Sequence, residues 1–195
     1  MGRLGREFFA RYTPDVARDI LGCTLVRKIG SEVLTGKIVE VEAYRGSDDP
    51  ASHSYRGPTE RSAIMFGEAG HVYVFFSYGN HWCLNFTTEG EGQPGAVLVR
   101  ALEPVKGIEE METNRRMSNV LALTNGPGKL TEALSIDKAF NGEDLTKSKR
   151  LFVMASERAV DVGTSARIGI SRGREHLWRY YVRGNPFVSK GRAPP

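Results

Sequence analysis

The chain has 195 residues, 40% of them hydrophobic and 26% charged. That is enough for one domain with a real core, and it is unlike a fibrous, disordered or membrane-spanning protein. The net charge of +4, from 27 Lys and Arg against 23 Asp and Glu, suits a polyanionic partner without requiring one. No apolar run approaches a membrane span, and MGRLGREFFARYTPDVARDILG lacks the apolar centre of a signal peptide. A bacterial, cytoplasmic protein is expected.

In chain order, Thr13-Pro14 opens a short helix over 14–21, with Thr13 as N-cap and Gly22 as C-cap. Strands follow at 23–29 and 33–44, joined by a Gly30-Ser31 turn. Residues 46–70 read as loop, with one helical turn near 61–65. HVYVFFSYGNHWCLNFTT (71–88) reads as strand, turn and strand, and AVLVRALEP (96–104) as a strand closed by Pro104. Helices are expected at 107–118 and 128–135, and strands at 163–170 and 179–189. Strands outnumber helices and come in adjacent pairs without βαβ alternation. The fold class expected is therefore α+β, a single domain over 1–195 on a largely antiparallel sheet, with the tail 190–195 frayed.

Cys23 and Cys83 lie in apolar surroundings and read as buried free thiols, not as a disulfide or a zinc site. The four histidines show no ligand spacing, so no metal is expected.

Three stretches can carry chemistry. In KIVEVEAY, period-2 alternation puts Val39, Val41 and Ala43 on one face and Ile38, Glu40, Glu42 and Tyr44 on the other. Blind, the second face is a solvated one. The hairpin crowds aromatics around a turn, and Tyr78 sits at the tip, where a core residue has nothing to pack on. Arg100 stands in an apolar strand with Leu98 and Leu102 on its side, and such an arginine wants a carboxylate. TNGPGKL is not a phosphate-binding P-loop, because Leu130 follows Lys129; it reads as the start of a helix whose first amides can hold a phosphate.

KIVEVEAY, ASHS, YVFFSYGNHWCLN, VLVRALEP, NGPGKL and YYVRGNPFVS, in that order, resemble the alkyladenine (3-methyladenine) DNA glycosylases of the animal type. The landmarks run from about residue 37 to residue 189. The resemblance implies a curved antiparallel sheet with flanking helices and a protruding hairpin. It also implies a base-excision enzyme that flips a damaged purine out of double-stranded DNA. Tyr78 matches the tyrosine that fills the gap in the duplex. Tyr44 and His53 on one side and Phe75 on the other match the rings that hold the base. Phe75 stands where the best-known members carry tyrosine, which keeps the stacking surface and loses a hydroxyl. Asn85 matches the residue that excludes guanine's 2-amino group, and Leu98 and Ile168 complete the matching pocket. Glu42 matches the catalytic carboxylate, and Arg100, with a main-chain group near Ile168, helps hold the attacking water. Glu40 has no assigned role and keeps its solvated-face reading.

Arg61, Asn80, His81, Arg115, Arg116 and Lys129 are candidates for DNA contacts. No lysine matches a catalytic position, so a monofunctional, monomeric enzyme without cofactor is expected. The resemblance also demands a three-residue hairpin loop, Tyr78-Gly79-Asn80, which alone puts Phe75 and Asn85 on one face. Two other classes fit the same residues: a non-catalytic binder of damaged DNA, and an RNA- or nucleotide-directed enzyme. A carboxylate in the pocket argues against the first, a tyrosine at the hairpin tip against the second.

Overall fold

A computed structural model describes residues 2–77 and 79–189 of the chain. Tyr78 and the tail 190–195 lie outside the described residues. Two short helices, α1 (Arg6–Phe9) and α2 (Thr13–Asp19), precede strands β1 (Thr24–Ile29) and β2 (Glu32–Tyr44). A long loop carrying a 3₁₀ turn at Ala63–Phe66 leads to β3 (Val72–Ser77), β4 (His81–Thr87) and β5 (Ala96–Lys106). Helices α3 (Ile108–Arg115), α4 (Val120–Leu123) and α5 (Pro127–Ala133) follow, then a 3₁₀ turn at Lys138–Phe140 and strands β6 (Leu151–Met154), β7 (Val162–Ser165) and β8 (Arg179–Val182). The fold is α+β, as expected. No helix among the described residues is long and apolar enough to cross a membrane.

The strands form one curled sheet in the order β3-β4-β5-β2-β1-β6, with β8 added to β2 and β7 to β8, every pair antiparallel. β2 is its spine. Its first half pairs with β1 across the two-residue Gly30-Ser31 turn, Ile29 opposite Glu32. Its second half pairs with β8 at Glu40–Glu42, and β5 covers its other edge along most of its length.

One face carries the core. Phe9, Val16 and Ile20 from the N-terminal helices, and Met111, Leu123 and Leu130 from α3–α5, pack on Leu25, Leu34, Phe86, Val97 and Val99 of the sheet. Each fully buried side chain of this size contributes roughly 1.5–3 kcal/mol. A smaller cluster of Met65, Tyr73 and Ala96 lies under the hairpin.

The β2–β5 ladder is broken where it matters. Val41 pairs with Val99 and Glu40 with Ala101, so Arg100 has no partner across the ladder; Ile38 pairs with Leu102, which leaves Val39 unpaired. Such bulges re-aim side chains. Ile38 therefore joins Val41 and Ala43 in the core rather than sharing a face with Glu42. Alternation alone could not show this, because it assumes an unbroken period of two.

Several element boundaries also differ from the sequence reading. Tyr12, not Thr13, is the N-cap of α2; the Thr13 hydroxyl instead meets Glu89 (2.7 Å) and Thr88 (2.8 Å). β5 runs through Pro104 to Lys106, because the register skips Val105 opposite Thr35-Gly36 and a bulge needs no ladder donor from proline. β7 and β8 stop at Ser165 and Val182, and the residues after them turn back over the sheet. α1, α4 and β6 are four-residue elements too short to show a period.

Candidate active site

The face of the sheet opposite the helices is hollow. β2 ends there in Tyr44, and the loop beyond it brings His53. β3 and β4 add Phe75 and Asn85, β5 adds Leu98 and Arg100, and the turn after β7 adds Ile168. Together they enclose a cavity of about 240 Å³. The hairpin register is the required one: Ser77 faces His81, and Phe75 and Asn85 look the same way.

Aromatic rings make one wall. His53 and Phe75 meet edge to face at 4.6 Å, and His53 Nδ1 lies 2.8 Å from the Tyr73 hydroxyl. Arg61 covers Phe75 at 4.9 Å and donates to the Phe76 carbonyl (2.8 Å). Burial, and then the charge of Arg61, lower the His53 pKa. The Tyr73 hydroxyl is pushed up to about 12, mainly by burial. Asn85 donates Nδ2 to the Tyr73 carbonyl (3.0 Å), which fixes its amide at the cavity wall.

Behind the opposite wall sits Glu42, with no solvent exposure. The Ile168 N–H donates to its Oε1 (2.7 Å). The Tyr44 hydroxyl donates to Oε2 (2.7 Å), and Arg100 Nη1 lies 3.2 Å from the same oxygen. Glu42 does not itself line the cavity, but all three of its partners do. Burial, and then Glu42, push the Tyr44 hydroxyl well above its ordinary pKa. Burial works against the charge on Arg100, but Glu42 and Glu40 outweigh it and hold its pKa above the usual value. A carboxylate fed only by donors, one residue deep behind the cavity, can stabilise positive charge that develops there.

Glu40 is not on a solvated face. It is without exposure, and accepts from Arg100 Nε (3.0 Å), Arg179 Nε (2.8 Å), the Ser189 hydroxyl (2.8 Å) and the Ser189 N–H (2.6 Å). β8 and the turns after it cover this part of β2, a pairing between residues some 140 positions apart that no local pattern reveals.

The methylpurine-DNA glycosylase family model matches residues 7–186. This chain belongs to that family. Among its relatives, proteins named "Putative 3-methyladenine DNA glycosylase" occur in Carboxydothermus hydrogenoformans, Bradyrhizobium diazoefficiens and Desulfitobacterium hafniense. The first is 47% identical, covering 96% of this chain and 98% of the relative. The second is 48% identical, covering 96% and 90%, and the third 46%, covering 97% and 99%. The chain is thus a DNA glycosylase, an enzyme with DNA as its substrate.

Within this glycosylase the peripheral candidates scatter. His81 lines the cavity, its ring packed against Gly128, and Asn80 closes the hairpin turn through its N–H to Ser77 (3.2 Å). Arg115 is paired to Glu132 and touches the Met117 sulfur (3.6 Å), while Lys129 reaches Asn125 (2.7 Å). No group of three His, Cys, Asp or Glu among the described residues is placed to hold a metal.

Five supporting residues escaped the sequence reading: Tyr73 behind His53, Arg179 and Ser189 on Glu40, and the buried pair of Asp49 and Arg167. Arg167 donates to the Ala43 carbonyl (2.9 Å) and covers the Tyr44 ring at 4.6 Å. Its place beside Ile168 was the only local signal.

Proposed function

We propose that the enzyme excises alkylated purines, 3-methyladenine and 7-methylguanine foremost, from double-stranded DNA. A water activated by Glu42 attacks the sugar and leaves an abasic site. The observation that carries this reading is the Glu42 carboxylate, wholly buried and held by three groups that each face a cavity walled by aromatic rings.

The flipped base lies between Tyr44 on one side and the touching His53 and Phe75 rings on the other, whereas the sequence reading set His53 beside Tyr44. A methylated purine carries positive charge, and a cation over such a ring gains roughly 0.5–2 kcal/mol. Asn85 and Leu98 shape the floor and disfavour unmodified guanine through its 2-amino group, a penalty that cationic 7-methylguanine offsets by stacking and by leaving more readily. As the N-glycosidic bond lengthens, charge builds on the sugar, and the Glu42 carboxylate stabilises it while taking a proton from the water. Arg100 and the backbone at Ile168 keep that water in line. No lysine lines the cavity among the described residues, which favours hydrolysis by a monofunctional enzyme over imine formation with the sugar. Deaminated and etheno purines, hypoxanthine and ethenoadenine, fit the same stacking but leave as poorer, neutral groups. Tyr78 fills the gap in the duplex, with Arg61, Asn80, His81, Arg115 and Lys129 as backbone contacts. The protein acts as a monomer in the bacterial cytoplasm, on the nucleoid.

Single-turnover base release from methylated duplex DNA tests this. Glu42→Gln is expected to lose about 10²–10⁴ in rate, the usual worth of a positioned acid or base, with duplex binding retained. Equal release by both proteins sinks the reading.

A further inference from the structure

We infer that Glu40 is a positioning residue for Arg100, and that Ser189, near the far end of the chain, completes the arrangement. The inference rests on the reading above, in which Arg100 and Glu42 hold the attacking water.

Arg100 sits in the β2–β5 bulge, so the ladder does not set its direction. Its guanidinium spans two carboxylates, with Nε on Glu40 (3.0 Å) and Nη1 toward Glu42 (3.2 Å). A guanidinium facing one carboxylate prefers to fork it with two parallel bonds. Glu42 alone would draw two nitrogens of Arg100 onto itself. By holding the Nε edge, Glu40 turns the fork so that a single nitrogen reaches Glu42. The rest of the guanidinium is left toward the cavity that Arg100 lines.

Glu40 is itself fixed from the far side. Arg179 holds Oε1 (2.8 Å), and its remaining nitrogens reach Ser165 Oγ (3.0 Å) and the Ser189 carbonyl (3.3 Å). Ser189 closes the ring through its hydroxyl to Oε1 (2.8 Å) and its N–H to Oε2 (2.6 Å). Glu40 and Glu42 have no exposed side-chain surface, and Arg100 and Arg179 only 9% and 12%. A buried ionic set of this kind is weak evidence for stability, since apolar residues of the same volume do as well or better. Its use here is to fix an orientation.

The test is single-turnover release of methylated purines from methylated duplex DNA by full-length variants. Glu40→Gln is expected to release base roughly 10–100-fold more slowly than wild type, the usual cost of losing a group that orients a reacting side chain. Duplex binding should change by less than about twofold, because only the chemical step is touched. Placed on Arg100→Gln, Glu40→Gln should add no further loss, because its whole effect runs through that arginine. Ser189→Pro removes both Ser189 donors without disturbing any strand. It should slow release in the same way, with Ser189→Ala intermediate. Wild-type rates in Glu40→Gln, full additivity on Arg100→Gln, or a parallel loss of binding would overturn the assignment. If Glu40→Gln does not fold, Ser189→Pro decides, and a wild-type rate there overturns it. A wild type that releases no base, or a Glu42→Gln variant as fast as wild type, overturns the hydrolytic reading and this inference together. Normal loss in Glu42→Gln with full rate in Glu40→Gln overturns the inference alone.

Discussion

Asp49 and Arg167 face each other in a two-bond fork, 2.6 Å on each side, with neither side chain exposed. The pair joins two walls of the cavity. Asp49 also accepts the Arg45 N–H (3.0 Å) and the Ala51 N–H (3.1 Å), shaping the loop that carries His53. Arg167 precedes the Ile168 amide that holds Glu42. Removing one partner strands a buried charge, so Asp49→Ala should destabilise the fold by about 3–5 kcal/mol. Pairing it with Arg167→Met should recover much of that loss. Urea unfolding of the two variants checks both values.

The lowered His53 pKa gives stability a definite slope with pH. An imidazole held below its ordinary 6.5 is favoured neutral in the folded state. Its contribution is complete above that value and drains away as pH falls through the lowered one. Wild-type stability should therefore decline on acidification through this window more steeply than that of His53→Gln. Arg61→Ala, by removing the second cause of the shift, should raise the His53 titration midpoint followed by NMR.

Gly128, the second residue of α5, lies directly under the His81 ring. A Cβ there would lie 2.5 Å from His81 Cγ and 2.7 Å from its Cβ, too close for the ring to stay. Gly128→Ala should cost about 1–3 kcal/mol, as overpacking does. It should also push His81 from its place at the cavity mouth. Thermal unfolding reads the first effect, and a shifted His81 resonance the second.

Both thiols are buried, and burial pushes both up, Cys83 to about 11. Thiolate is the reactive form. The folded protein should therefore react very slowly with a thiol reagent near pH 8, and both cysteines should titrate promptly in urea. Fast labelling of Cys83 in the folded state would show the cavity to be more open than described.

Hairpin register was legible from sequence because a period of two leaves few choices. Once Phe75 and Asn85 must share a face, only a three-residue loop serves, and Ser77 does face His81. Glu42, Tyr44, His53, Phe75 and Arg100 could be named from motif order, and they meet around one cavity or directly behind it. Glu40 could not be read correctly. Alternation places it beside Glu42 and says nothing of what covers the pair, and the covering comes from Arg179 and Ser189 at the other end of the chain. The bulge at Arg100 is also silent in sequence, since it arises from how β2 and β5 fit and not from either strand alone. The chain by itself determined which residue types are available and broadly where strands and turns fall, because these follow from local periodicity and turn geometry, and the family resemblance carried by its motif order named the side chains for the chemistry. Tertiary structure decided which charges are buried, what pairs with them and which way Arg100 points, because those depend on contacts between segments that local pattern cannot bring together.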